Sequence, residues 1–315
     1  MTDTTIPSSE IKLADTSRED DVVQPFLIEK TGINGRFVRL GGAINDILSR
    51  HDLEGPVSRL LGEFMALSAA LSSALKYDGI FTLQSSSDGP VPLMVSDVTS
   101  AGHLRGHARV KGDIPGTDAI GDTPVPVLMG AGHLAFTVDQ SAIEDRYQGI
   151  VSLEGNTLGD CIHHYFSQSA QFDAKVKLAC ARTAGGQWRA GALMIQRLPE
   201  EGGTGGVDDP DAWNRAGVLL DSAKPDEMTD PNLSPNDLLF RLFHEDGVRV
   251  FEPKPVQAVC RCSRERMLNA LTTLPDDDLQ EIVTEGVVEM TCEFCNTNRQ
   301  FTPAEVAEAR AAARN

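Results

Sequence analysis

Two short stretches, VCRCSRERM and MTCEFCNTN, carry Cys260, Cys262, Cys292 and Cys295, four of the six cysteines in 315 residues. Their spacing is C-x-C, then 29 residues, then C-x-x-C. Close pairs of thiolates are the donor set of a tetrahedral zinc site, and a C-x-x-C turn after a strand presents both sulfurs to one point. The bland alternative is buried structural thiols, which are not usually paired this way. A site closed by four protein sulfurs leaves no position for water, so it would be structural and not hydrolytic. The same thiols could also form disulfides, and four cysteines allow three connectivities. Bridges within each pair would close very short loops and leave the first pair untied from the second. A shared metal ties the two pairs together. Arg261, Arg264 and Arg266 could lower the thiol pKa values, or form a solvated helix face.

The elements that would position these thiols are short. Residues 258–315 read as a small terminal unit: a helix over Ser263–Leu274, a second over Asp276–Thr284 ended by Gly286, and the strand VVEMT running into CEFC. A last helix opens on a capping box, Thr302 with Glu305, with Pro303 at its first position. So small a unit, poor in large apolar side chains, needs a staple. Structural zinc supplies about 10–16 kcal/mol of apparent binding free energy.

Upstream, residues 1–22 read as a disordered lead, polar and aperiodic. Residues 23–199 read as an α+β body. In PVSRLLGEFMALSAALSSALKYDG, Val57, Leu60, Leu61, Phe64, Leu67, Leu71 and Leu75 recur near helical spacing, between Pro56 and Gly79. The runs IFTLQ, VPLMVSDV, HLRGHARV, LAFTVD and GIVSLE read as strands of a largely antiparallel sheet. A helix over Leu158–Ser169 and the strands FDAKVKLACA and QWRAGALMIQRL complete the body. Residues 200–257 begin with EEGGTGGVDDPD, a linker by composition. LLFRLFHEDG then offers Leu238, Leu239, Phe240, Leu242 and Phe243 for docking, in a segment that folds weakly. The expected class is α+β: an N-terminal mixed sheet with helices, a metastable helical linker and a small C-terminal zinc-binding domain.

A net charge of −18, from 46 acids and 28 bases, disfavours nucleic acid and anionic membrane surfaces. The start of the chain lacks the basic and apolar regions of a secretory signal, and no apolar run is long enough to span a bilayer. The expectation is a cytoplasmic protein whose thiols are kept reduced, so clustered cysteines favour metal or redox chemistry. GAGHLA, Gly130 to Ala135, matches a dinucleotide fingerprint formally, but FTVD follows it and not a helix, so it reads as a turn. Cys161 beside His163 and His164 reads as a packed cysteine next to surface histidines, and Cys180 as core. Neither a P-loop nor a nucleophile elbow nor an HExxH helix is present. A constitutive zinc ribbon used as a binding module and a thiol–disulfide oxidoreductase using CEFC stand as alternatives. The second lacks the βαβ context expected of it.

CRCSRER followed at this distance by CEFC resembles the heat shock protein 33 family of redox-regulated bacterial chaperones. FTLQSSSDGPVPLMVSDV, YQGIVSLEG, YFSQSAQ and LLFRLFHEDGVRVFEPKPVQAVCRC resemble that family in matching order, over most of the chain. The resemblance implies a non-enzymatic, ATP-independent holdase that protects unfolding client proteins. It implies one Zn(2+) per chain in the reduced, inactive state, held by Cys260, Cys262, Cys292 and Cys295. It also implies activation by peroxide with heat or by hypochlorous acid, with disulfides Cys260–Cys262 and Cys292–Cys295, zinc release, linker unfolding and a homodimer.

Overall fold

β1 (Val22–Ile28) and β2 (Ile33–Leu40) form a hairpin that leads into α1 (Gly42–Ser49) and α2 (Gly55–Ser73). β3 (Gly79–Ser87), β4 (Leu93–Thr99) and β5 (His103–Arg109) follow as a meander. After α3 (Thr117–Ile120) come β6 (Gly132–Gln140), β7 (Tyr147–Ser152), α4 (Leu158–Ser169), β8 (Asp173–Arg182) and β9 (Trp188–Arg197). The linker carries α5 (Ala212–Ser222), α6 (Pro225–Thr229) and α7 (Pro235–Phe243), then the short strands β10 (Val248–Val250), β11 (Lys254–Pro255) and β12 (Gln257–Ala258). The terminal unit holds α8 (Arg264–Thr272), α9 (Asp276–Glu281), β13 (Val283–Thr284), β14 (Val287–Thr291), β15 (Asn298–Phe301) and α10 (Pro303–Ala313). This computed structural model describes residues 20–140, 147–169, 173–197, 211–284 and 286–313. Most of the lead read at 1–22, Ala170 and Gln171 of the YFSQSAQ run, and the glycine-rich start of the linker lie outside them. Among the described residues no helix is long and apolar enough to cross a membrane.

Two sheets enclose α2. The first has the order β10-β1-β2-β9-β8, with β11 also on β1, and every pairing is antiparallel. The second has the order β12-β5-β4-β3-β6-β7, antiparallel except for the parallel β12–β5 pair that makes it mixed. α2 packs on both, so it is buried on nearly every side, Ser68 and Ser72 included. A helix apolar on one face only would not serve in that position. Close approach needs glycine: a Cβ on Gly62 would fall 2.4 Å from the Cys180 sulfur on β8. On β5, a Cβ on Gly106 would fall 2.5 Å from the Met65 sulfur.

The outer face of the first sheet is covered by the linker. Phe26, Phe37, Leu193 and Ile195 meet Leu220, Met228, Leu239 and Phe243 in a second apolar cluster. Phe26 and Phe243 stack with ring centroids 5.6 Å apart. This explains the unbroken burial of β9, whose two faces point into two different clusters. Of the linker side chains expected to dock, Leu238, Leu239 and Phe243 do so, and Leu242 is partly covered. Phe240 departs from the expectation: at helical spacing it falls on the solvent side and stays 61% exposed. Two buried arginines grip the turn after α6. Arg39 donates to the carbonyls of Asp230 (2.7 Å) and Leu233 (2.6 Å), and Arg189 donates to that of Thr229 (2.8 Å).

The sequence reading assigned no element between residues 23 and 55, where β1, β2 and α1 stand. Asp20 and Asp21, read as lead, are already engaged: Asp20 pairs with Arg189 at 2.5 Å, and Asp21 accepts from the N–H groups of Gly41 (2.8 Å) and Ala43 (3.0 Å). The helix expected over Asp276–Thr284 stops at Glu281. Val283 and Thr284 are β-branched and pair with Val288 and Val287 as a hairpin, with Gly286 at a φ of 81° in the connection.

Candidate metal centre and its docking face

The four sulfurs of Cys260, Cys262, Cys292 and Cys295 lie within 4.8 Å of one another. Cys260 and Cys292 are 3.8 Å apart and Cys262 and Cys295 3.4 Å apart, sulfur to sulfur. With Zn–S near 2.3 Å, a tetrahedron has edges of about 3.8 Å. The donor set and its size therefore fit a tetrahedral thiophilic ion.

Each half is shaped locally. Cys260 and Cys262 follow β12, pinned to β5 by the N–H of Val259 on the Leu104 carbonyl at 3.1 Å. Ser263 then caps α8, accepting from the Arg266 N–H. Cys292 and Cys295 occupy the turn between β14 and β15. There the Cys292 carbonyl accepts from Asn296 N–H (2.8 Å), and Cys292 N–H donates to the Thr297 carbonyl (3.0 Å). Asn296 takes a φ of 55°, a conformation asparagine tolerates better than most side chains. Met267, Leu271, Val288, Phe301 and Val306 form the small core behind the site. The capping box of α10 is present: Glu305 accepts from Thr302 N–H at 2.8 Å, and Thr302 Oγ1 accepts from Glu305 N–H at 3.2 Å.

The thiols do not ionise alike. Burial pushes Cys262 up to about 12, and its neighbours Cys295 and Cys260 add to the rise. Cys292 is raised too, by burial first, against backbone hydrogen bonds that lower it. At Cys295 burial acts upward as well, but hydrogen bonds with Thr297 and the neighbouring thiols outweigh it, and the value falls to about 6. The Cys295 thiolate forms readily, while burial first and then the neighbouring sulfurs keep Cys262 and Cys292 protonated. A cation at the centre is what would let all four ionise together.

The three arginines are engaged with other partners. Arg261 pairs with Asp97 at 2.5 Å, Arg264 with Glu305 at 2.5 Å, and Arg266 donates to the Arg261 carbonyl at 2.8 Å. Their charge is spent on carboxylates and a carbonyl. Cys161 is fully buried and its thiol pushed up to about 11, chiefly by burial. His164 does have an acidic partner, Glu154 at 3.1 Å, although none was legible in the sequence. Cys180 is core, raised by burial, against Gly62. GAGHLA turns only at its start, where Gly130 has a φ of 70°; from Gly132 it is strand β6, with no helix following.

The sequence reading missed the face on which the cysteine unit sits. Alternate residues of β5 (Arg105, His107 and Arg109) point at it, while Leu104 and Gly106 face α2. The Arg105 guanidinium lies 3.8 Å above the Phe294 ring centroid, and the His107 ring meets it edge-on at 4.7 Å. Arg109 pairs with Glu293 at 3.0 Å. His51 Nε2 stands 3.2 Å from the Phe294 carbonyl, and Asn296 Nδ2 donates to the Arg50 carbonyl at 3.0 Å. Asp97, 4% exposed, holds Arg105 (2.6 Å), Arg261 (2.5 Å) and the Thr82 hydroxyl (2.7 Å). The available signal was a two-residue period of cationic and imidazole side chains in HLRGHARV, in a chain that is otherwise acidic.

A family model described as "Hsp33 protein" matches residues 21–302. The "33 kDa chaperonin" of Caulobacter vibrioides (strain NA1000 / CB15N) is 39% identical over 297 residues, covering 92% of this chain and 97% of that protein. That of Pseudomonas putida (strain F1) is 38% identical over 292 residues, covering 92% and 93%. The crystal structure of a 33 kDa chaperonin (heat shock protein 33 homolog) from Thermotoga maritima superposes with a TM-score of 0.79, over 93% of this chain and 99% of that one, at 21% identity. Fold and site together define a chaperone with a C-terminal cysteine cluster able to hold a metal. The chain belongs to the Hsp33 family.

Proposed function

We propose that this chain is a cytoplasmic, redox-regulated and ATP-independent holdase, silent when reduced and loaded with one Zn(2+). Residues 23–199 form its client-binding body, 200–257 its metastable linker and 258–315 its switch. The carrying observation is that one sulfur cluster, drawn from two segments 29 residues apart, closes a domain whose own core is five buried side chains. Zinc, when bound to Cys260, Cys262, Cys292 and Cys295, would supply the cohesion that this core lacks. Peroxide or hypochlorous acid takes two electrons from each thiol pair, forming Cys260–Cys262 and Cys292–Cys295 and reducing the oxidant to water or to chloride and water. The two bridges together remove all four ligands and leave only the small apolar core joining the halves.

Without its folded neighbour, the linker loses the anchorage of β12 and leaves the first sheet. Phe26, Phe37, Leu193 and Ile195 are then bare, an apolar face suited to unfolding clients and to pairing into a homodimer. In the reduced fold each sulfur is near every other, so distance alone does not select the pairing. Bridges between the halves would keep the tie and the silence.

Zinc content and light scattering of a heat-unfolded client should be measured on the same samples before and after warm peroxide. Reduced protein should hold one zinc and suppress scattering weakly, and oxidised protein should do the reverse. Peptide mapping should find the bridges within the pairs. Complete zinc loss with unchanged scattering would falsify the switch.

A further inference from the structure

Every residue enclosed by the two cysteine pairs points into the body. Arg261, between Cys260 and Cys262, reaches Asp97. Glu293 and Phe294, between Cys292 and Cys295, reach Arg109 and the Arg105–His107 pair. All these partners sit on β4 and β5. A cation over an aromatic face, shielded from water, is worth about a tenfold factor in an equilibrium. A disulfide across either pair must redraw the one or two residues it encloses, because the loop it closes contains nothing else.

We propose that this contact is a latch: the β4–β5 face is a built docking surface for the cysteine loops, and Phe294 is the residue that holds the loop shut. The latch rests on the switch reading above and deepens it. Metal state then reaches the body by two routes, the linker and this face. Opening of the site is governed by what Phe294 touches as well as by the ligands themselves.

The test uses the full-length, reduced, zinc-loaded protein and transfer of zinc to a chromogenic chelator. Phe294→Ala keeps all four cysteines and should transfer zinc about tenfold faster than the parent. Phe294→Tyr, which preserves the ring, should stay slow. Arg105→Ala breaks the contact from the body side, at a residue that is no sequence neighbour of a ligand, and should also be fast. The double variant Phe294→Ala/Arg105→Ala should be no faster than either alone. Parental rates in both alanine variants, or additive effects in the double, overturn the latch. Should Phe294→Ala fail to load zinc, Arg105→Ala alone decides. Because the readout is zinc transfer, it stands even if the oxidised parent proves unable to hold a client, a result that sinks the chaperone switch and not the latch.

Discussion

Among the described residues, Asp97 and Glu293 are the two carboxylates of the contact between the cysteine loops and β4–β5, and Asp97 is the buried one. It joins a body guanidinium to one lying between two metal-site cysteines. Removing one partner of a buried ion pair leaves an uncompensated charge, so Asp97→Ala should cost about 3–5 kcal/mol, read by urea unfolding of the reduced protein. The two histidines at the same face provide a pH test. His107 is lowered by burial first, with Glu293 opposing and His51, Arg109 and Arg105 assisting. His51 is lowered by burial first, with the Phe294 carbonyl opposing and Arg50 assisting. A lowered imidazole binds its proton more weakly in the docked state, so docking holds above about pH 6.5 and weakens as the pH falls through that value. NMR titration should place both imidazoles below about 6.5 in the reduced parent and return them towards it in Phe294→Ala. Unshifted values in the parent would show that these rings are not buried at a closed interface.

At the scale of elements, α7 adds Leu238, Leu239 and Phe243 to the apolar cluster under the first sheet. Phe243 is wholly buried, stacks on Phe26, and ends a helix capped by Ser234 and opened by Pro235. Phe243→Ala should weaken docking by about 3–5 kcal/mol. The reduced variant should be cut by protease between residues 211 and 258 much faster than the parent, with zinc content unchanged. The central helix makes the opposite demand, for less bulk. Gly62→Ala drives a methyl group into the Cys180 sulfur, and overpacking of this kind costs about 1–3 kcal/mol. Combining it with Cys180→Ala should recover most of that loss in the same unfolding assay.

For the whole molecule, stability is unevenly spread. The body has a large continuous core around α2, whereas the terminal unit has a few side chains and a sulfur cluster. Chelation under reducing conditions should therefore unfold the terminal unit alone. Hydrogen exchange should rise across residues 258–313 and stay slow in β2, β9 and α2. Uniform protection after metal removal would show that the cluster does not hold the unit together.

Much of this was legible along the chain. The cysteine spacing, the capping box at Thr302, the helix after Pro56 and the strands β3 to β9 and β14 are written in neighbouring residues, where periodicity and turn chemistry act locally. What escaped was what depends on register and distance. β1 hides behind Pro25, Gly35 on β2 makes room for the Phe26 ring, and the apolar sides of α5, α6 and α7 are matched only by the sheet they cover. Most of all, Arg261 and Asp97 lie 164 positions apart, and the β5 residues are further still from Phe294. No local pattern announces such a meeting. It exists because parallel pairing of β12 with β5 lays the first cysteine pair beside a strand whose alternate side chains were already facing that way.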